Sequence, residues 1–171
     1  MLGKILIYLT TIAGLLSVIL YFLSDKNSDY KKYASVLYYI MTVSIAGAGI
    51  FLLYNIMTHN FQFTYIWEYS STELHDYFLF ASFYSGQQGS FMLWIIILAV
   101  LGLFVKLSAK KNNLESYAMA FYTLVILFVA VILIFKSPFD YVWETFAADK
   151  LEVGYMPTNG RGLNPILQNY W

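Results

Sequence analysis

Long apolar runs separated by short polar ones set the pattern of this chain. Ile5 to Leu23 is an uncharged run of 19 residues, and Ala34 to Met57 is one of 24. Phe91 to Val105 is densely apolar over 15 residues and extends backward through Gly86. Leu114 to Phe135 runs for 22 residues with one acid, Glu115, in its first turn. A helix needs about 20 apolar residues to cross a hydrocarbon core of about 30 Å. The pattern therefore predicts an all-α, polytopic membrane protein with four transmembrane helices, at about 5–23, 34–57, 86–106 and 114–135. These make a membrane region over 1–135 with an external loop at 58–85. A tail follows at 136–171. The first run is longer than the apolar part of a signal peptide, and Tyr21 to Asp25 lacks a small-residue cleavage pattern.

The polar segments carry the local signals. From Phe61 to Tyr65 apolar and polar residues alternate, which predicts a short extended piece. Thr72 is placed to cap a helix starting at Glu73. Leu74, Tyr77, Phe78 and Ala81 recur at helical spacing, as in a helix lying in the membrane interface. The tail holds all three prolines, Pro138, Pro157 and Pro165, with Gly154, Gly160 and Gly162, and reads as loop. Trp143 and Tyr155 are expected at the bilayer surface.

Lysines orient the bundle. Lys26, Lys31 and Lys32 lie in the first connection, and Lys106, Lys110 and Lys111 in the third. The second loop has none and carries Glu68, Glu73 and Asp76. Cytoplasmic loops are enriched in Lys and Arg. Loop 58–85 and the tail are thus expected on the outer, periplasmic side of a bacterial inner membrane. Lys4, Lys136, Lys150 and Arg161 pull the other way.

Composition agrees and narrows the chemistry. The chain is 60% hydrophobic, 20% aromatic and 12% charged, against about 25% charged in a soluble domain. Ten basic and ten acidic residues balance, so no basic surface exists for nucleic acid. There is no cysteine. That excludes disulfides, thiolate metal sites and a C-x-x-C-H haem attachment site. No phosphate-binding G-x-x-x-x-G-K-[ST] string occurs, and Ser90 has no His or Lys at a hydrolytic spacing. Asp140, Glu144, Asp149 and Glu152 cluster in sequence without a histidine, so no metal site is expected there.

Two strings remain. One is Tyr84-Ser85-Gly86-Gln87-Gln88-Gly89-Ser90-Phe91-Met92-Leu93-Trp94. The other is Gly160-Arg161-Gly162-Leu163-Asn164-Pro165-Ile166-Leu167-Gln168-Asn169-Tyr170-Trp171. Together they resemble the N-terminal part of the cytochrome c-type biogenesis haem lyases, the CcmF/CcsA-like family. The first is similar to that family's W-G-G-x-E-G-S-L-L-x-W signature and the second to its G-R-D-L-N-P-L-L-Q-x-P segment. Lys136-Ser137-Pro138-Phe139 resembles the family's S-N-P-F, and Phe61 to Ser70 resembles the D-F-S-x-x-Y-V-A-x-x-S opening of the same external loop. Tyr84 stands for a Trp, Ser85 for a Gly, Gln88 for a Glu and Gly162 for an Asp.

The resemblance implies the N-terminal fragment of a membrane protein that handles haem and joins it to apocytochrome c, together with other cytochrome c maturation subunits. It implies haem as cofactor and membrane lipid as surroundings. The family's ligand histidines would follow Trp171, so this stretch alone is expected to be inactive. The resemblance further implies haem-side contacts for Gly86, Gln87, Gly89, Ser90, Trp94, Arg161, Asn164, Pro165 and Gln168. A helix start with free N–H groups attracts carboxylates, and Arg161 can pair with a propionate. The plainer reading of the glycines is tight helix packing, and of the aromatic residues, interfacial anchoring. His59 and His75 match no ligand position of the family and are expected to be bystanders. The alternative function is a non-catalytic membrane scaffold of a larger complex.

Overall fold

The computed structural model describes residues 1–24, 28–146 and 152–164. Four long helices take up the apolar runs: α1 over Leu2–Leu23, α2 over Ser28–Met57, α5 over Gln87–Lys111 and α6 over Glu115–Phe135. Each is long and apolar enough to cross a membrane. In hydrocarbon, backbone N–H and C=O groups must be paired within the segment, and a helix does this throughout its length. Three short helices lie between and after them: α3 (Thr64–Tyr69), α4 (Asp76–Ser85) and α7 (Val142–Thr145). Among the described residues there is no strand, only an isolated antiparallel bridge between Phe63 and Tyr141.

The long helices close into a four-membered ring. α1 packs on α2 and α6, and α5 packs on α6 and α2. On α2, Tyr38, Met41, Ile45, Ala48, Leu52 and Ile56 are fully buried. Their spacing of three and four residues is the stripe that a packed helix presents to its neighbours. The opposite faces are apolar and uncovered: Val43 is 71% exposed, Ile50 70% and Phe128 68%. So large an exposed apolar surface is suited to lipid and not to water. The chain is a multi-pass membrane protein.

Single polar bonds join the spans. The Tyr38 hydroxyl donates to the Ala99 carbonyl at 2.8 Å, and Tyr122 to Leu98 at 3.0 Å. Ser17 donates to the Ala34 carbonyl at 2.9 Å.

Two local expectations are corrected. The helix expected from Glu73 begins at Asp76, with His75 as its N-cap. A tail residue intervenes: the Thr72 N–H donates to Asn159 Oδ1 at 3.0 Å, and the Glu73 N–H is taken by Ser71 Oγ at 3.2 Å. The extended piece at Phe61–Tyr65 shrinks to Phe63, because Thr64 already opens α3 and carries Tyr65 and Ile66 into the interior.

Candidate functional site

The α2–α5 segment and the chain after α6 meet on one face of the bundle, the loop face. Its centre is Tyr65, on α3. The ring is buried, and its hydroxyl donates to the Ser82 and Phe83 carbonyls, each at 3.0 Å. It accepts the Gly86 N–H at 3.2 Å. Burial pushes the phenol well above its ordinary value of 10.0, so Tyr65 stays neutral and donates.

That bonding explains the glycines of the first string. The chain turns from α4 into α5 at Gly86, which has φ −102° and ψ 167°. A Cβ on Gly86 would press into the Tyr69 ring, and one on Gly89 would strike the Phe83 carbonyl and the Tyr65 hydroxyl. Only a residue without a side chain lets α5 begin this close to Tyr65.

The second string docks on the other side of α3. The Arg161 N–H donates to the Trp67 carbonyl at 2.7 Å, and the Gly162 N–H to the Ser70 carbonyl at 2.9 Å. A Cβ on Gly160 would strike the Ser70 carbonyl. Gly162 has φ +82°, a left-handed conformation that disfavours most side chains and is tolerated by Asp or Asn. Leu163 is buried at the end of this strap. The two strings are thus joined through α3, one against each side of it.

A third segment, 136–146, completes the plate. The Thr64 N–H donates to the Asp140 carbonyl, and the Val142 N–H to the Gln62 carbonyl, each at 2.9 Å. Lys4 on α1 lies 3.0 Å from Asp140 and 2.8 Å from Glu144. The Lys4 hydrogen bond holds the Glu144 carboxyl below its ordinary value.

The residues singled out from sequence fall into different places. Gly86 and Gly89 are buried under Tyr65 and Tyr69. Gln87 is exposed and accepts from Lys136 Nζ at 2.7 Å. Ser90 donates to the Tyr84 carbonyl at 2.8 Å. Trp94 is 61% exposed on the outer surface of α5. Asn164 is exposed at the end of the strap. Pro165 and Gln168 lie outside the described residues.

Arg161 is the cation that the second string brings to this face. Its guanidinium carbon lies 4.3 Å from the centroid of the Trp67 ring, which in turn meets Phe146 edge-on at 5.6 Å. Among the described residues no carboxylate lies within ion-pair distance of it. A guanidinium seated on an aromatic ring keeps the planar donor fork that suits a carboxylate.

The histidines are placed differently. His75 is exposed at the start of α4. His59 has φ 52° and tilts against Phe61 with ring centroids 5.8 Å apart. Its Nδ1 is buried with no hydrogen-bond partner among the described residues. No group of three His, Cys, Asp or Glu side chains among the described residues is arranged to hold a metal ion.

Sequence reasoning gave Tyr65, Trp67 and Asn159 no role of their own at the site. Asn159-Gly160 is an Asn-Gly pair, a turn signal that marks where the strap bends onto α3. Tyr65 carries no local signal, since its partner glycines lie more than twenty residues away.

Comparison with known proteins fits this arrangement. The chain is 30% identical over 131 residues to the cytochrome c-type biogenesis protein CcmF of Haemophilus influenzae, covering 75% of this chain and 18% of that protein. It is 26% identical over 134 residues to CcmF of Escherichia coli, covering 77% and 19%. It is 25% identical over 150 residues to the biogenesis protein NrfE of H. influenzae, covering 86% and 22%. The chain therefore spans about a fifth of the length of the curated relatives it matches. No family model and no solved structure matches it. Three-quarters of the chain is more than the stretch from Asn60 onward, so the similarity reaches back into α2. Along that length, this chain is a homologue of the cytochrome c-type biogenesis proteins.

Proposed function

We propose that this chain is part of a haem-handling protein of c-type cytochrome assembly in the bacterial cytoplasmic membrane, and that its loop face forms the propionate-side wall of the haem path. The observation that carries this reading is the stacked, acid-free Arg161 on a plate built from both motif strings. Haem is cargo here, passed on to apocytochrome c with other maturation subunits, and its two propionates are the groups that Arg161 is built to receive. Trp67 and Phe146 hold the guanidinium in place. Asn164 extends the same strap, and Pro165 and Gln168 of the same motif are assigned to the haem side with it. Trp94 adds an aromatic wall along α5. Gly86, Gly89, Gln87 and Ser90 serve as framework, because their contacts are taken up within the chain. His59 and His75 carry no axial role.

The loop face is assigned to the periplasmic side. Among the described residues, Lys31, Lys32, Lys106, Lys110 and Lys111 gather at the opposite end, against Lys4, Lys136 and Arg161 at this end. The positive-inside bias then puts the lysine end in the cytoplasm.

The test is Arg161→Gln in the complete protein in a bacterial strain that depends on it, with haem-stained mature cytochrome c and the level of the protein itself both measured. The expected result is a loss of about tenfold in mature cytochrome at unchanged protein level, the scale of one charge-assisted hydrogen bond, with partial rescue by Arg161→Lys. The internal use of the glycines also favours a second reading, a scaffold with no haem contact. On that reading Arg161→Gln lowers protein level and cytochrome together, or changes neither.

A further inference from the structure

The opposite end of the bundle holds an open groove between α2 and α5 with a volume of about 540 Å³. Lys106 lines it, one to two turns before the end of α5, and is only 9% exposed. Its ammonium donates to the Tyr39 hydroxyl at 2.9 Å and lies 4.1 Å from the centroid of that ring. Both partners are neutral. The acid that lines the groove, Glu115, is held by Lys31 at 3.2 Å. Among the described residues no carboxylate lies within ion-pair distance of Lys106. A buried ammonium without a counter-charge is costly, and such groups are paired or mark a site. Lys32 and Lys110 line the mouth of the same groove and are exposed, so the cationic charge exceeds the acidic.

The groove is also graded. α5 runs toward Lys111 at this end and α2 runs away from it. Leu103 therefore lies deeper than Lys106, and Val36 deeper than Lys32. Val36 is 49% exposed and Leu107 is 62% exposed, so the apolar walls are uncovered. Cations at the interface with apolar walls leading inward match an amphiphile with an anionic head. A free anion would satisfy the lysines and leave the apolar walls bare.

We propose that this groove binds an anionic phospholipid, its phosphate against Lys106, Lys32 and Lys110 and an acyl chain along Val36 and Leu103. The site is independent of the reading of the loop face. Basic pockets between membrane helices are a recognised form of headgroup site.

The test uses the full chain in neutral detergent, with dioleoylphosphatidylglycerol or dioleoylphosphatidylcholine added and bound lipid counted by native mass spectrometry. Phosphatidylglycerol is expected to be retained over phosphatidylcholine. Lys106→Gln is expected to lower that retention about fivefold, the effect of one interfacial lysine, and Lys106→Arg to restore it. Should Lys106→Gln not fold, the exposed pair Lys32→Gln and Lys110→Gln replaces it, with a similar loss expected for each. Equal retention of the two lipids overturns the proposal, as does phosphatidylglycerol binding that none of these variants changes. Displacement of the lipid by excess inorganic phosphate also overturns it, because the groove then selects a soluble anion.

Discussion

The two ends of the bundle are built on opposite plans. At the loop face, α3, the strap at 159–163 and the segment at 136–146 are stitched together by backbone hydrogen bonds, and the Tyr65 hydroxyl fastens α4 and α5 to them. At the lysine end, the α2–α5 groove stays open, crossed by the contact from Lys106 to Tyr39. All the recognisable motifs lie at the closed end. The glycines, Asn and aromatic residues that make a motif readable are the same ones that let chain segments approach closely. A dense motif here marks interlocking, and Arg161 is a cation that it leaves without an acid partner among the described residues. The unmatched charge at the other end comes with no motif, since lysines at helix ends look like ordinary topology signals.

The sharpest way to break this contrast is Gly89→Val. The new side chain would meet the Phe83 carbonyl and the Tyr65 hydroxyl, and neither atom is the flexible end of a side chain that can move aside. Overpacking of this kind costs about 1–3 kcal/mol, and the displaced Tyr65 adds unpaired buried groups to that. The expected outcome is a loss of about 3 kcal/mol or more in detergent unfolding, or failure of the protein to accumulate. Lys110→Ala at the open end is expected to stay within about 0.5 kcal/mol. Similar losses for the two variants would remove the distinction between the ends.

Much of the fold was legible from the runs alone. The four spans follow from length and hydropathy, but which face of a span is buried does not, because both faces of α2 are apolar: Ile45 is fully buried while Val43 is 71% exposed. The start of α4 was not legible, because Asn159, far along the chain, takes the N–H of Thr72. A local capping rule cannot see a partner that distant. The same limit applies to the site. The glycine string stood out in the sequence, but its reason is the buried Tyr65 on another element. Arg161 was legible as a residue of interest, whereas its platform, Trp67 on Phe146, required the strap to be placed first.

A second test compares two tyrosines in similar roles. Tyr65→Phe removes a hydroxyl that serves two carbonyls and one N–H at the loop face. Buried groups left without partners there should cost about 1–3 kcal/mol. Tyr38→Phe removes one bond, to the Ala99 carbonyl within the spans. Interhelical bonds in membranes average about 0.6 kcal/mol, so the smaller loss is expected for Tyr38. Detergent unfolding of the two variants side by side measures the difference, and equal losses would mean that Tyr65 is not the fastening of the loop face.

The smallest expected effect concerns the ion pairs that tie α1 to the plate. Glu144 accepts from Lys4, and that bond lowers its pKa below the ordinary 4.5. A carboxylate with a depressed folded pKa stabilises the fold fully above its unfolded value and loses that contribution as pH falls through the folded value. Stability is therefore expected to drop as pH descends below about 4.5, an ordinary carboxylate value,. Glu144 is 44% exposed, so the pair is worth about 1 kcal/mol or less. Asp140 lies 3.0 Å from the same ammonium. Glu144→Gln should thus lower the unfolding midpoint slightly at neutral pH, and the gap from the unmodified protein should close in acid. A gap that stays constant down to pH values well below the carboxylate range would show that the Glu144 charge does not secure this end of α1, leaving that role to the Met1 bond to the Tyr141 hydroxyl and the packing of Phe139 on Gly3.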